Sequence, residues 1–131
     1  MSYAEHSAEG VAILLWATDT SAPERLATPF FHAAAAAAMD APVEIYFTAA
    51  SVQLLAPGVA AALRASPRID KTVLAHMQDA AGHGARFFAC TDALVAQGLD
   101  GVTLIPEYTG RGGAVQFMAR ALDLRWRTLV F

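Results

Sequence analysis

The chain has 131 residues, which at roughly 150 residues per domain is a single domain spanning 1–131. Hydrophobic residues make up 56% of it and charged residues 16%, a balance that excludes a disordered chain and supplies one buried core. The net charge of −3 gives no basic footprint for nucleic acid, and the longest apolar runs, 11–17 and 33–39, fall short of the ~20 residues that a membrane span needs.

Residues 1–9 are polar and read as a frayed end. The run Val11-Ala12-Ile13-Leu14-Leu15-Trp16-Ala17 has the length and continuous hydrophobicity of a strand buried on both faces. A loop at 18–21 leads to Ser21-Ala22-Pro23-Glu24, which has the form of a capping box for a helix reaching Met39. Pro29 lies inside that stretch, so Thr28 is an alternative N-cap with Pro29 at the first helical position. Asp40-Ala41-Pro42 stops the helix, and residues 43–48 read as the second strand. Two helical pieces follow, one over 51–64 interrupted at Pro57-Gly58 and one over 72–81 capped by Asp70. Gly82-His83-Gly84 breaks the chain before a third strand ending at Cys90. A short helix over 92–97 is closed by Gly98, a fourth strand is expected at 101–105, a helix over 111–121 and a fifth strand over 126–131. Strands alternating with helices predict a parallel sheet with right-handed crossovers and helices on both faces.

In such a sheet the ligand site lies outside the carboxyl ends of the strands, so strand-to-helix loops are candidates and helix-to-strand turns are not. Asp19 to Ser21, Ala49 to Ser51, Cys90 to Asp92 and Pro106 to Gly113 then share the competent edge, while His83 lies at the opposite one. Cys90 is the most informative residue. It stands where a buried strand meets a helix N-terminus, whose dipole favours the nucleophilic thiolate, although Asp92 two residues on opposes a second negative charge. The alternative is an inert cysteine packed as a small hydrophobe. As the single cysteine it allows neither an internal disulfide nor a cysteine-cluster metal site. No basic start followed by an apolar stretch opens the sequence, so no signal peptide is expected and a soluble cytoplasmic protein is.

The segment Phe87-Phe88-Ala89-Cys90-Thr91-Asp92-Ala93-Leu94-Val95-Ala96-Gln97-Gly98-Leu99 resembles the strand–cysteine–helix–glycine stretch of the DsrE/DsrF-like sulfur-relay family. The opening strand, the alanine-rich first helix and Val43–Thr48 followed by Ala49-Ala50-Ser51-Val52-Gln53-Leu54-Leu55 agree in kind, so the resemblance runs from Val11 to Phe131. It implies a three-layer α/β/α domain with a five-stranded, mainly parallel sheet, assembled into homo-oligomers, trimers or hexamers. It also implies that Cys90 accepts sulfane sulfur as a persulfide in bacterial sulfur trafficking or oxidation. The sulfur would pass to or from a partner such as a TusA-like or rhodanese-like protein, with no cofactor. Gln97 departs from the family pattern, where a basic residue is often found. A lone cysteine suits a carrier, because donor and acceptor are separate molecules. The rival reading is a non-catalytic subunit or small-ligand module on the same fold.

Other residues are weaker candidates. Gly110-Arg111-Gly112-Gly113 precedes a helix and offers an anion cradle, with Arg111 placed to orient an anionic donor; a plain turn is the alternative. His32 stands early in the first helix as a candidate base for Cys90, with a packed or surface role as the alternative, and Asp19, Ser51, Thr91 and Asp92 are site neighbours. The four histidines, His6, His32, His76 and His83, give no expected metal site. Trp16, Trp126 and the Phe30-Phe31 and Phe87-Phe88 pairs are expected in the core.

Overall fold

Five strands form one sheet in a computed structural model that describes residues 8–131, so residues 1–7 of the expected frayed end, His6 among them, lie outside the described residues. The strands are β1 (Gly10–Leu15), β2 (Val43–Phe47), β3 (Arg86–Ala89), β4 (Tyr108–Arg111) and β5 (Trp126–Val130). They are ordered β4-β3-β2-β1-β5 and every neighbouring pair is parallel. The helices are α1 (Thr28–Ala38), α2 (Val73–Gly82), α3 (Thr91–Ala96) and α4 (Ala114–Ala121). This is the expected α/β architecture with helices on both faces.

The period of two along each strand divides the core in two. One face presents Ile13, Leu15, Ile45, Phe47, Phe87 and Ala89 to α1, α2 and α3, and this side forms the large buried cluster. The other face presents Ala12, Tyr46 and Phe88 to α4, whose Phe117 completes a much smaller cluster. β2 lies between the two clusters, and all five of its residues are buried, Glu44 among them.

Several boundaries moved for local reasons. The expected fourth strand at 101–105 is not one. Gly101 and Pro106 bracket that segment, Val102 is exposed, and Ile105 packs without strand pairing: it is buried and donates its N–H to the Leu55 carbonyl at 2.9 Å. The sheet is completed instead by β4, an edge strand that lacks an apolar run because its residues alternate between half-buried and exposed. Its register slips between Phe87 and Phe88, where the Phe87 N–H donates to Thr109 Oγ1 at 3.0 Å. The helix expected from Arg111 accordingly starts at Ala114.

The capping box at Ser21 does not form, because the Ser21 N–H and hydroxyl both donate to Asp19 Oδ1. Pro23–Arg25 is a single 3-10 turn, and α1 begins at Thr28 with Pro29 in its first turn. No side chain caps α1: Ala27, not Thr28, occupies the N-cap. Residues 49–55 and 60–62 are 3-10 segments, not α-helix, separated by a turn in which Gly58 takes φ +83°. Thr72 caps α2 by accepting the Ala75 N–H at 3.0 Å, while Asp70 pairs with Arg64. β1 ends at Leu15, leaving Trp16 58% exposed, and Phe31 is 55% exposed on the outer side of α1; neither belongs to the core as expected.

Candidate functional site

At the edge of the sheet, β3 and β4 are neighbours whose following connections leave in opposite directions. After β3 the chain enters α3, which packs Ala93 and Leu94 into the large cluster; after β4 it enters α4 on the other face. Adjacent strands that diverge in this way open a crevice at their carboxyl ends. Cys90 stands in that crevice.

The backbone fixes it there. Cys90 is the N-cap of α3, in extended conformation at φ −67° and ψ 127°. Its N–H donates to the Phe47 carbonyl at 3.0 Å and its carbonyl accepts the Leu94 N–H at 3.1 Å. α3 ends as expected: Gly98, at φ +73°, donates to the Val95 carbonyl, and Leu99 returns to that of Leu94. The Gly112 N–H, held by the Ala89 carbonyl at 3.0 Å, brings the loop before α4 beside the cysteine. A β-carbon added at Gly113 would lie 3.8 Å from Cys90 Sγ.

Beside the sulfur lies a cleft of about 290 Å³. Leu14, Tyr46, Phe47 and Thr48 line it from the sheet; Gly112, Gly113 and Ala114 line it from the loop; Phe117 and Met118 line it from α4. No lining residue carries a charged side chain. The cysteine itself is half-buried, so the thiol is reached from solvent through an apolar mouth. Among the described residues no three His, Cys, Asp or Glu side chains gather as a metal centre requires.

The charge near the cleft is locked away from it. Glu44, 1% exposed in β2, accepts hydrogen bonds from Arg120 Nε at 2.8 Å, from an Arg86 guanidinium nitrogen at 2.8 Å and from the Tyr46 hydroxyl at 2.8 Å. Burial opposes its ionisation, but the Arg120 and Tyr46 hydrogen bonds and the two guanidinium charges outweigh it and hold the carboxyl below its ordinary range. The same burial, reinforced by Glu44, pushes the Tyr46 phenol up to about 12.

The remaining candidates are spread along the carboxyl edge. Thr91 and Asp92 form the exposed first turn of α3 and do not line the cleft. Ser51 is fully buried; its hydroxyl donates to the Leu15 carbonyl at 2.8 Å and accepts the Thr48 N–H at 3.1 Å, which ties the ends of β1 and β2 together. Asp19 is spent on Ser21, whose hydrogen bonds lower its carboxyl pKa. His32 lies beside β5: its Nδ1 is 2.9 Å from the Thr28 carbonyl oxygen and its ring 5.9 Å from that of Phe131. Arg111 is exposed at the end of β4, adjacent to the cleft but outside its lining. The structure thus brings Cys90 together with Gly112 and Gly113, and not with Asp19, His32 or Ser51.

Sequence reasoning passed over Glu44, Tyr46, Phe117 and Met118. A signal for the first was available: a carboxylate inside an otherwise apolar five-residue strand must find partners when buried. Nothing comparable marks Phe117 or Met118.

A family model described as DsrE/DsrF-like matches residues 11–131. No curated protein sequence matches the chain. Among solved structures, the ychN protein from E. coli superposes with a TM-score of 0.73 at 14% identity, over 94% of this chain and 99% of that one. A protein of unknown function, MTH1491 from Methanobacterium thermoautotrophicum, superposes with a TM-score of 0.61 at 20% identity, over 92% of this chain and 96% of the other. At such identities the superpositions establish the fold alone.

Proposed function

We propose, for a chain that belongs to the DsrE/DsrF-like family, that Cys90 carries sulfane sulfur between partner proteins as a persulfide. The observation that supports this most is the placement of the single cysteine: half-buried at an apolar cleft, on the edge of the sheet where ligands bind. In the transfer, the Cys90 thiolate attacks the outer sulfur of a donor persulfide, R–S–SH. A new S–S bond forms as the donor S–S bond breaks, giving Cys90–S–SH and the donor thiolate R–S⁻. An acceptor thiolate then takes the outer sulfur by the same exchange and Cys90 returns to thiolate. No net oxidant is consumed, and no second cysteine is needed on the chain. A TusA-like or rhodanese-like protein suits the role of donor or acceptor, and the cytoplasm is the compartment proposed.

Self-association belongs to the same proposal. α4 and the chain after it hold Val115 88%, Leu122 79% and Leu124 87% exposed, an apolar surface of the kind that subunit interfaces cover. A homotrimer or hexamer is the assembly proposed.

A second reading is favoured by the uncharged lining of the cleft: a small apolar ligand binds there and Cys90 is inert. Exposure of the native protein to polysulfide, thiosulfate and a persulfidated carrier, followed by intact-mass measurement, separates the two. A carrier gains the mass of one or more sulfur atoms, loses it to reductant, and gains nothing as Cys90→Ser. Wild-type protein that takes up no sulfur from any of the three leaves the ligand-binding reading standing.

A further inference from the structure

Glu44 takes no part in sulfur transfer, yet it is the most elaborately bonded side chain near the cleft. On the face covered by α4, β2 presents Glu44 and Tyr46 and β3 presents Arg86 and Phe88, while Thr48 and Cys90, each just past the end of its strand, line the cleft. Glu44 is in register with Arg86, so Cys90 lies four residues further along, ~13 Å at about 3.3 Å per residue. α4 bridges that distance. Its N-cap, Gly113, lies beside the sulfur, and its last turn carries Arg120, which grips Glu44 with two hydrogen bonds, of 2.8 and 3.0 Å.

Both sides of the cleft end on this one carboxylate. Tyr46 forms the floor, and its hydroxyl donates to Glu44 at 2.8 Å. Phe117 forms the α4 wall and meets the Tyr46 ring edge-on, with centroids 5.5 Å apart. Arg120 also lies 4.1 Å above the Trp126 ring, so its guanidinium is fixed from two sides. Apolar packing holds α4 weakly by comparison, since Phe117 is its one buried residue. The ion pair is therefore a second anchor, at the far end of the helix.

We propose that Glu44 is a positioning residue of the Cys90 cleft: by holding Arg120 at the far end of α4 and the Tyr46 hydroxyl in the floor, it sets the cleft's width and so the bulk of the sulfur donors that reach Sγ. The inference rests on the carrier reading for its biological meaning, while its geometry is tested on the thiol alone. Native protein is alkylated with iodoacetamide and, separately, with the bulky N-(1-pyrenyl)maleimide, and the ratio of the two rate constants is compared among variants. Glu44→Gln keeps the shape and removes the charge that holds Arg120; the bulky-to-small ratio is expected to rise about tenfold, the scale of one charge-assisted hydrogen bond. Tyr46→Phe keeps the ring and removes one tie, so its ratio is expected to rise by a smaller factor. Circular dichroism establishes that each variant is folded, and if Glu44→Gln does not fold, Tyr46→Phe decides the matter. A ratio unchanged from wild type in the folded variants overturns the proposal and leaves Glu44 a stabilising residue only. A shifted ratio in a protein whose Cys90 takes up no sulfur upholds the positioning role and refutes the carrier reading, so the two failures are distinct.

Discussion

The two faces of the sheet are built on different principles. The face under α1, α2 and α3 is sealed by interlocking apolar residues, with the Phe30, Phe47 and Phe87 rings in mutual contact at 5.4 to 6.2 Å. The cluster under α4 buries four apolar residues, relies on a buried carboxylate gripped by two arginines, and leaves a cleft open beside Cys90. The difference teaches where stability and access are divided in this fold. A dense apolar layer has no room for a substrate, whereas a single helix anchored at its far end leaves its near end free to frame one.

Truncations test that division first. Phe87→Ala on the sealed face is expected to cost about 3–5 kcal/mol in urea unfolding, because it removes a buried ring packed against those of Phe30 and Phe47. Phe117→Ala is expected to cost at least about 1 kcal/mol less, since the cleft beside it already supplies space on one side. Equal losses would mean the two faces are equally packed.

Glu44→Ala is expected to cost about 2 kcal/mol, below the full penalty for breaking a buried ion pair, because Arg86 and Arg120 both retain access to water. The same group gives the α4 face a pH dependence. Its carboxyl is held below the unfolded value of 4.5, so its contribution is fully present above pH 4.5 and is lost as pH falls through the lower folded value. Denaturation midpoints measured down an acid series should fall less steeply in Glu44→Gln than in wild type.

Smaller effects mark the periphery. Gly98→Ala places a side chain at φ +73° and is expected to cost about 1 kcal/mol, loosening the end of the helix that starts at Cys90. Val115→Ser is expected to change the unfolding free energy of a single chain by less than about 0.5 kcal/mol, because that side chain is 88% exposed. Sedimentation velocity should nevertheless show weaker self-association if this surface is the subunit contact.

The two faces also differ in how legible they were in the sequence. β1, β2 and β3 are central strands buried on both sides, and runs that are apolar apart from Glu44 in β2 and Arg86 at the start of β3 announce them. The strand–cysteine–helix–glycine order around Cys90 was readable because each step has a local cause: an apolar strand, an N-terminal helix position and a glycine at positive φ. β4 was not readable, since an edge strand needs no hydrophobic run, and Tyr108-Thr109-Gly110-Arg111 supplies none. The segment 101–105 misled for the converse reason: Ile105 is buried by packing without sheet pairing, and Val102 is exposed. Candidate site residues chosen by sheet edge alone were scattered along that edge. The α4 wall of the cleft, Phe117 and Met118, comes from packing of that helix over Tyr46 of β2, a tertiary contact that leaves no local mark.

In the proposed transfer the sulfur of Cys90 is the carrying atom. The most direct measurement supplies a persulfidated donor labelled in its outer sulfur with a heavy isotope, quenches the mixture with an alkylating agent and maps the label by peptide mass spectrometry. A carrier cysteine puts the labelled sulfur on the peptide containing Cys90, releases it when an acceptor thiol is added, and leaves no label in Cys90→Ser. A native, folded protein whose Cys90 peptide stays unlabelled at saturating donor would contradict the carrier role.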